Sequence, residues 1–152
     1  MSESSGFRRQ KALLRCARKQ DDEPSLRRKI SAALGQINDI QATCGHSKAH
    51  RGPMSHARRD EILIRYGLPP GMQPDYEVDH LVPLCLGGSD DSSNLWPEPR
   101  RSIEPKWNAE AKDRLERFMC DMVCSGQLDI GTAQEAIAKD WIAAYHKYYD
   151  TH

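Results

Sequence analysis

The strongest constraint on this chain is a single run, Tyr76-Glu77-Val78-Asp79-His80-Leu81-Val82-Pro83-Leu84, bounded by Pro74 and by Gly87-Gly88. Its β-branched and large apolar residues predict a strand. A loop rich in Gly, Ser, Asp and Asn follows, then a second short strand at Asn94-Leu95-Trp96-Pro97. Pro97 and Pro99 cannot donate to a ladder, so this segment suits a sheet edge or a strand end. Two short strands cannot bury a core by themselves. The rest of the chain has to cover them, and its periodicity is helical, so the predicted fold is α+β and mostly helical.

Five helices are expected. A short one over Arg9–Lys19 is followed by a second beginning at Ser25, where Leu26, Ile30, Ala33, Ile37 and Ile40 form one apolar stripe. A third runs from Ser55, a capable N-cap, to Tyr66, closed by Gly67 and Pro69-Pro70. The fourth spans about Asn108 to Val123 and stops at Ser125-Gly126. The last starts at Thr132 in a capping box with Glu135 and buries Ile137, Trp141, Ala144, Tyr145 and Tyr148. This divides the chain into a basic helical arm, residues 1–40, and a main domain, residues 41–152. The stripe of residues 25–42 can pack on the main domain, or serve self-association or a protein partner.

Charge sharpens the division. Lys plus Arg and Asp plus Glu both total 22, a balance that argues against a wholly basic nucleic-acid coat and against an acidic disordered chain. Residues 1–75, however, hold 14 basic against 8 acidic residues, and residues 76–152 the reverse, 8 against 14. No apolar run approaches the ~18–20 residues of a membrane span. Arg8, Arg9, Lys11, Arg15, Arg18 and Lys19 break up any leader-like apolar stretch. The expectation is a cytoplasmic protein without a membrane partner. The five cysteines, Cys16, Cys44, Cys85, Cys120 and Cys124, contain no C-x-x-C pair. A structural zinc site through Cys44, His46 or His50, and Cys120 or Cys124 therefore lacks the paired spacing such sites use, and buried thiols are the default.

The chemistry concentrates between Tyr76 and Glu116. Hydrolysis of a phosphodiester needs a base for water, a divalent cation for the phosphate charge, and something to hold the base in register. An Asp beside a His at a strand end offers a hard oxygen ligand and a base together. On the following helix, with about 100° of rotation per residue, Lys112 lies about 40° and Glu116 about 80° round from Asn108. Asn108 and Lys112 thus head the same face as Leu115, Phe118, Met119, Met122 and Val123. Asp113 falls toward the solvent side, which makes it the poor ligand candidate and Asn108 the better one.

The segment VDHLVPLCLGGSDDSSNLWPEP resembles the HNH group of the ββα-metal (His-Me finger) endonucleases, whose motifs read roughly D-H-[IL]-[IV]-P-L, a Gly-Gly-Ser turn and N-L. A looser likeness, carried by KDRLE, VCSG and AQEAIAKDW, extends from Cys44 to Tyr145 and is similar to the helical tail of small bacterial and phage HNH-type proteins. The resemblance implies a ββα-metal core with flanking N- and C-terminal helices, acting as a Mg²⁺- or Mn²⁺-dependent DNA endonuclease. By position it makes His80 the general base, Asp79 the acidic metal ligand and Asn94 the brace that orients His80. The third motif position is a His in many members, but here no His lies between His80 and His146. Related nucleases carry an Asn at that helix position with a Glu eight residues on, the spacing of Asn108 and Glu116, which become the remaining candidate metal ligands. Lys112, Arg100 or Arg101 could add positive charge at the phosphate, and Arg58, Arg59 and Arg65 are candidates for contacts to the DNA backbone. The resemblance also implies a Cys44–Cys124 disulfide, which would belong to an oxidising compartment. Two alternatives stay open: a catalytically silent HNH-like module that binds nucleic acid or protein, and a secreted or effector-type nuclease toxin.

Overall fold

The computed structural model describes Cys44 and residues 53–151. The expected helices over 9–19 and from Ser25, and with them the self-association stripe, lie outside the described residues. In chain order the elements are α1 (His56–Arg65), β1 (Tyr76–His80), two 3₁₀ turns (Leu84–Leu86 and Ser92–Asn94), β2 (Leu95–Pro99), α2 (Ala109–Cys124) and α3 (Ile130–Ala144), which runs into a π turn at Tyr145–Tyr149. The class is α+β with one two-stranded antiparallel sheet.

The hairpin register explains how β2 accommodates two prolines. Val78 pairs with Pro97 and Tyr76 with Pro99. Just beyond the strand ends, Leu81 N donates to Asn94 O and Arg100 N to Asp75 O, at 2.7 and 2.8 Å. Hydrogen-bonded pairs alternate with non-bonded ones in an antiparallel ladder. Counting inward from either end, both prolines fall on the non-bonded rungs, where a missing N–H costs nothing. The expected first strand is cut short at His80, because Asn94 takes over the backbone of Val82. Val82 N donates to Asn94 Oδ1 and Asn94 Nδ2 donates to Val82 O, both at 2.9 Å. A third bond, from Asn94 Nδ2 to Ser89 O at 2.8 Å, closes the loop around this fully buried side chain. The turn also needs its glycines: Gly87 has φ 81°, and a Cβ on Gly88 would stand 1.7 Å from Val82 O.

Helices cover both faces of the hairpin. Side chains alternate along a strand, so Tyr76, Val78 and His80 face one way and Glu77 and Asp79 the other. α1 packs Ile62 against Val78 and Leu95 on the first face, while Leu63 meets Leu68 and Tyr76. The larger core lies on the second face, where Val82, Leu86 and Trp96 meet Ala111, Leu115 and Met119 of α2 and Ala133, Ile137 and Trp141 of α3.

Local chemistry accounts for the helix ends. Ser55 caps α1 by accepting from Arg58 N, and Asn108 caps α2 by accepting from Ala111 N. α3 begins two residues earlier than expected, because the Asp129 carboxylate accepts from both Thr132 N and Thr132 Oγ1. It also breaks at Asp140, whose φ is −162° and whose Oδ1 accepts from Ile142 N and Ala143 N, re-capping the second half. Two disulfides tie the domain together, Cys44–Cys124 and Cys85–Cys120, with Cα separations of 5.5 and 5.9 Å. The second fastens the Leu84–Leu86 turn to α2. Four sulfurs are thereby used, which corrects the default of buried thiols and removes the zinc alternative built on Cys44, Cys120 and Cys124. No helix among the described residues is long and apolar enough to cross a membrane.

Candidate functional site

Asp79 and His80 are consecutive, so the strand sends them to opposite faces of the hairpin, and two polar networks form back to back.

Toward α2, the centre is Lys112. It is fully buried, and its ammonium donates to His80 O at 2.7 Å, to Asp79 Oδ2 at 3.4 Å and to Glu116 Oε1. The carboxylate of Glu98 stands 4.0 Å away. Glu98 is itself fully buried, and neither of its oxygens has a hydrogen-bond partner among the described residues. Burial pushes the Glu98 carboxyl well above the ordinary range, against the pull of the Lys112 charge. Burial likewise raises Glu116 to about 7, against the pull of Lys112 and reinforced by Asp79. Burial also disfavours ionised Asp79, but the hydrogen bond from His80 and the charge of Lys112 outweigh it and hold that carboxyl below the usual range. Lys112 stays charged because Glu116, Glu98 and Asp79 together overcome the cost of burying it.

One carboxylate oxygen each from Asp79, Asp113 and Glu116 lie within 4.8 Å of one another, so these three residues could hold a metal ion. Hard oxygen donors of this kind suit Mg²⁺ or Mn²⁺. Asp79 and Glu116 were expected as ligands and are brought together. Asp113 was set aside on its helix angle. The structure includes it, because the fold brings Asp79 of β1 to both carboxylates of α2. Asn108, the expected ligand, spends its carboxamide on the backbone: Oδ1 accepts from Ala111 N at 3.3 Å, and Nδ2 donates to Glu104 O and Pro105 O. It acts here as the helix cap. Lys112, expected to offer charge to a phosphate, keeps its charge inside the fold.

Toward α1, His80 is buried with its Nε2 3.0 Å from Asp90 Oδ1. Its Nδ1 lies 3.8 Å from Asp79 Oδ1, the point where the two networks approach each other. Arg58 reaches Asp90 through NH1 to Oδ2 at 3.3 Å and through NH2 to its backbone carbonyl. Asn94, expected to orient His80, sits beneath this loop and bonds to Val82 and Ser89.

The remaining arginines are spread around the domain. Arg65 pairs with Glu61 and donates to Ser92 O, Arg100 pairs with Glu77, and Arg101 pairs with Glu110. Arg59 lines a cleft of about 260 Å³ beside β1 with Gln73, Glu77 and Arg100. The sequence reading missed three carboxylates. Asp90 passes for a solvated turn acid. Glu98 could have been suspected, since it lies two residues from Trp96 and so on the same covered face. Asp113 meets Asp79 only through the tertiary fold. Comparison with protein-family models, curated proteins and solved structures finds no match to this chain.

Proposed function

We propose that this protein is a divalent-metal-dependent endonuclease of the HNH, ββα-metal type that hydrolyses phosphodiester bonds in DNA. The observation that carries the reading is the convergence at the end of β1. An imidazole nitrogen of His80 lies 3.8 Å from Asp79, and Asp79 joins Asp113 and Glu116 in a cluster of three carboxylates. A strand, an Asn-braced loop, a second strand and a helix bring these groups together, the order in which the sequence motif places them.

In this reading Asp79, Asp113 and Glu116 are the residues that would hold Mg²⁺ or Mn²⁺, which when bound supplies positive charge against the phosphate. His80 takes the proton of the attacking water on its imidazole. The water oxygen adds to phosphorus in line, and the P–O3′ bond breaks with its electron pair going to the 3′ oxygen. Lys112 acts from within, holding Asp79 and the backbone carbonyl of His80 in place. Arg58, Arg59, Arg65, Arg100 and Arg101 remain candidate contacts to DNA phosphates, and surface ion pairs such as those of Arg58, Arg65, Arg100 and Arg101 exchange partners at little cost. Two disulfides favour an oxidising compartment and, with it, the secreted or effector-type form of this nuclease over a cytoplasmic one.

Nicking of supercoiled plasmid tests the reading. Wild type should convert supercoiled to open-circular DNA in Mg²⁺ or Mn²⁺ and stop on chelation. His80→Ala should lower the rate by roughly 10²–10⁴-fold without unfolding the domain. A folded wild type that leaves plasmid intact across both metals contradicts it and leaves the silent binding module.

A further inference from the structure

The three carboxylates of the candidate centre come from two elements, Asp79 from β1 and Asp113 and Glu116 from α2. Carboxylates gathered this closely repel one another until a cation joins them, so strand and helix must be held in register. Direct packing does little of this, because α2 meets the hairpin chiefly at the Leu84–Leu86 turn rather than along either strand. Lys112 supplies one tie, through His80 O, Asp79 and Glu116. The Cys85–Cys120 disulfide supplies another. With about 100° of rotation per residue, Cys120 falls between the two helix carboxylates, about 20° round the axis from Asp113 and about 40° from Glu116. It lies about 6 Å along the axis from Glu116. At the other end of the bond, Cys85 sits in the first turn after β1.

The turn has a separate hold on the core. Leu86 is fully buried, and Gln134 Nε2 of α3 donates to Leu86 O at 2.7 Å. Cutting the disulfide therefore frees the turn from the carboxylate-bearing stripe of α2 while leaving it fastened to α3. The bond can also be reached: Cys120 is only 8% exposed, but Cys85 is half-buried.

We propose that the Cys85–Cys120 disulfide is a redox latch on the candidate site. Oxidised, it holds the two halves of the carboxylate cluster at metal-binding distance. Reduced, it lets them separate while the domain stays folded. The metal part of this rests on Asp79, Asp113 and Glu116 being ligands. A dithiol reductant opens the latch by thiol–disulfide exchange. Its thiolate attacks Cys85 Sγ, the S–S bond breaks, and Cys120 leaves as a thiolate that takes up a proton. The second thiolate of the reductant then displaces Cys85, which is protonated in turn. The reductant ends as a cyclic disulfide, and the protein has gained two electrons and two protons. The site is thus disarmed where thiol buffers keep cysteines reduced and armed in an oxidising compartment.

The test uses the full chain carrying Cys16→Ala, Cys44→Ala and Cys124→Ala, so that a dithiol acts on one bond. On reduction, affinity for Mn²⁺, followed by the electron spin resonance of the free ion, should fall by roughly 10–100-fold, the range for losing support outside the ligand shell. It should recover on reoxidation. Amides of residues 81–88 should lose protection against hydrogen exchange, while those of α1 and α3 keep theirs. The helical circular dichroism should not change. Cys85→Ala/Cys120→Ala in the otherwise native chain should match the reduced state, and it decides alone if the triple variant does not fold. Unchanged Mn²⁺ affinity, or unchanged protection of residues 81–88, overturns the proposal. So does loss of the helical signal in the reduced protein and the double variant, which would make the bond a prop of the whole fold. If oxidised wild type binds no Mn²⁺, the metal reading fails, while hydrogen exchange still decides whether the bond ties the turn to α2.

Discussion

The two sides of the hairpin handle polar groups in opposite ways. Under α2 the network is the drier one: Lys112 and Glu98 are fully buried, while Asp79 and Glu116 keep 17% and 14% of their side-chain surface exposed. Toward α1 the network is wet: His80 is covered, but Asp90 and Arg58 reach solvent. Water screens charges on the drier side weakly, so they must be matched, and the Lys112 ammonium lies against Asp79, Glu116 and Glu98. On the wet side single contacts carry little stability, so they are free to serve geometry. One dipeptide, Asp79-His80, feeds both sides and joins them.

The comparison breaks first, and hardest, at Lys112. Replacing Lys112 with Met removes the only cation in contact with Asp79, Glu98 and Glu116 among the described residues. Removing one partner of a buried ionic network costs about 3–5 kcal/mol, and urea unfolding should show a loss of that size. Arg58→Ala, on the wet side, should cost less than about 1 kcal/mol in the same assay.

A smaller effect appears in pH. Glu116 binds its proton more tightly in the folded protein, where its pKa is raised to about 7, than in the unfolded chain, where it has the ordinary value of 4.5. Its stabilisation is thus complete below about pH 4.5 and is lost as pH climbs through about 7. Glu98 and Asp113 shift in the same direction. Asp79 shifts the other way, and its contribution disappears only on acidification below its ordinary range. In metal-free buffer, Tm should therefore fall between about pH 5 and about pH 8, and Glu116→Gln should flatten that slope.

The smallest effect sharpens the picture of a neutral Glu98. Burial favours the protonated form of Glu98, so Glu98→Gln, a neutral group of the same shape, should change stability by less than about 1 kcal/mol. A loss as large as that of Lys112→Met would mean that Glu98 is ionised and paired.

What the sequence made legible was local. Ser55 and Asn108 declare helix starts through hydrogen bonds to residues three further on, and Gly87-Gly88 declares a turn. Asn94 as the brace, Asp79 beside Glu116 and the Cys44–Cys124 bridge came through resemblance in residue identity and spacing. What stayed hidden depended on how elements stack. The helix angle correctly put Lys112 on the covered face, but it holds no information about which other element brings a carboxylate to Asp113, and so it rejected that residue. The break in α3 at Asp140 depends on a side chain competing with the helix for N–H groups, which apolar periodicity does not register. Cys85–Cys120 joins a turn to a helix 35 residues on, a pairing that spacing alone leaves among several.

The central claim is that the dry and wet networks meet at one divalent cation held by Asp79, Asp113 and Glu116 beside His80. Paramagnetic broadening by Mn²⁺ in ¹H–¹⁵N spectra tests it most directly. At substoichiometric Mn²⁺, the amides of Asp79, His80, Asp113 and Glu116 should broaden first, Mg²⁺ should compete the effect away, and Asp79→Asn should abolish it. Broadening centred elsewhere, or undiminished in Asp79→Asn, would contradict the account.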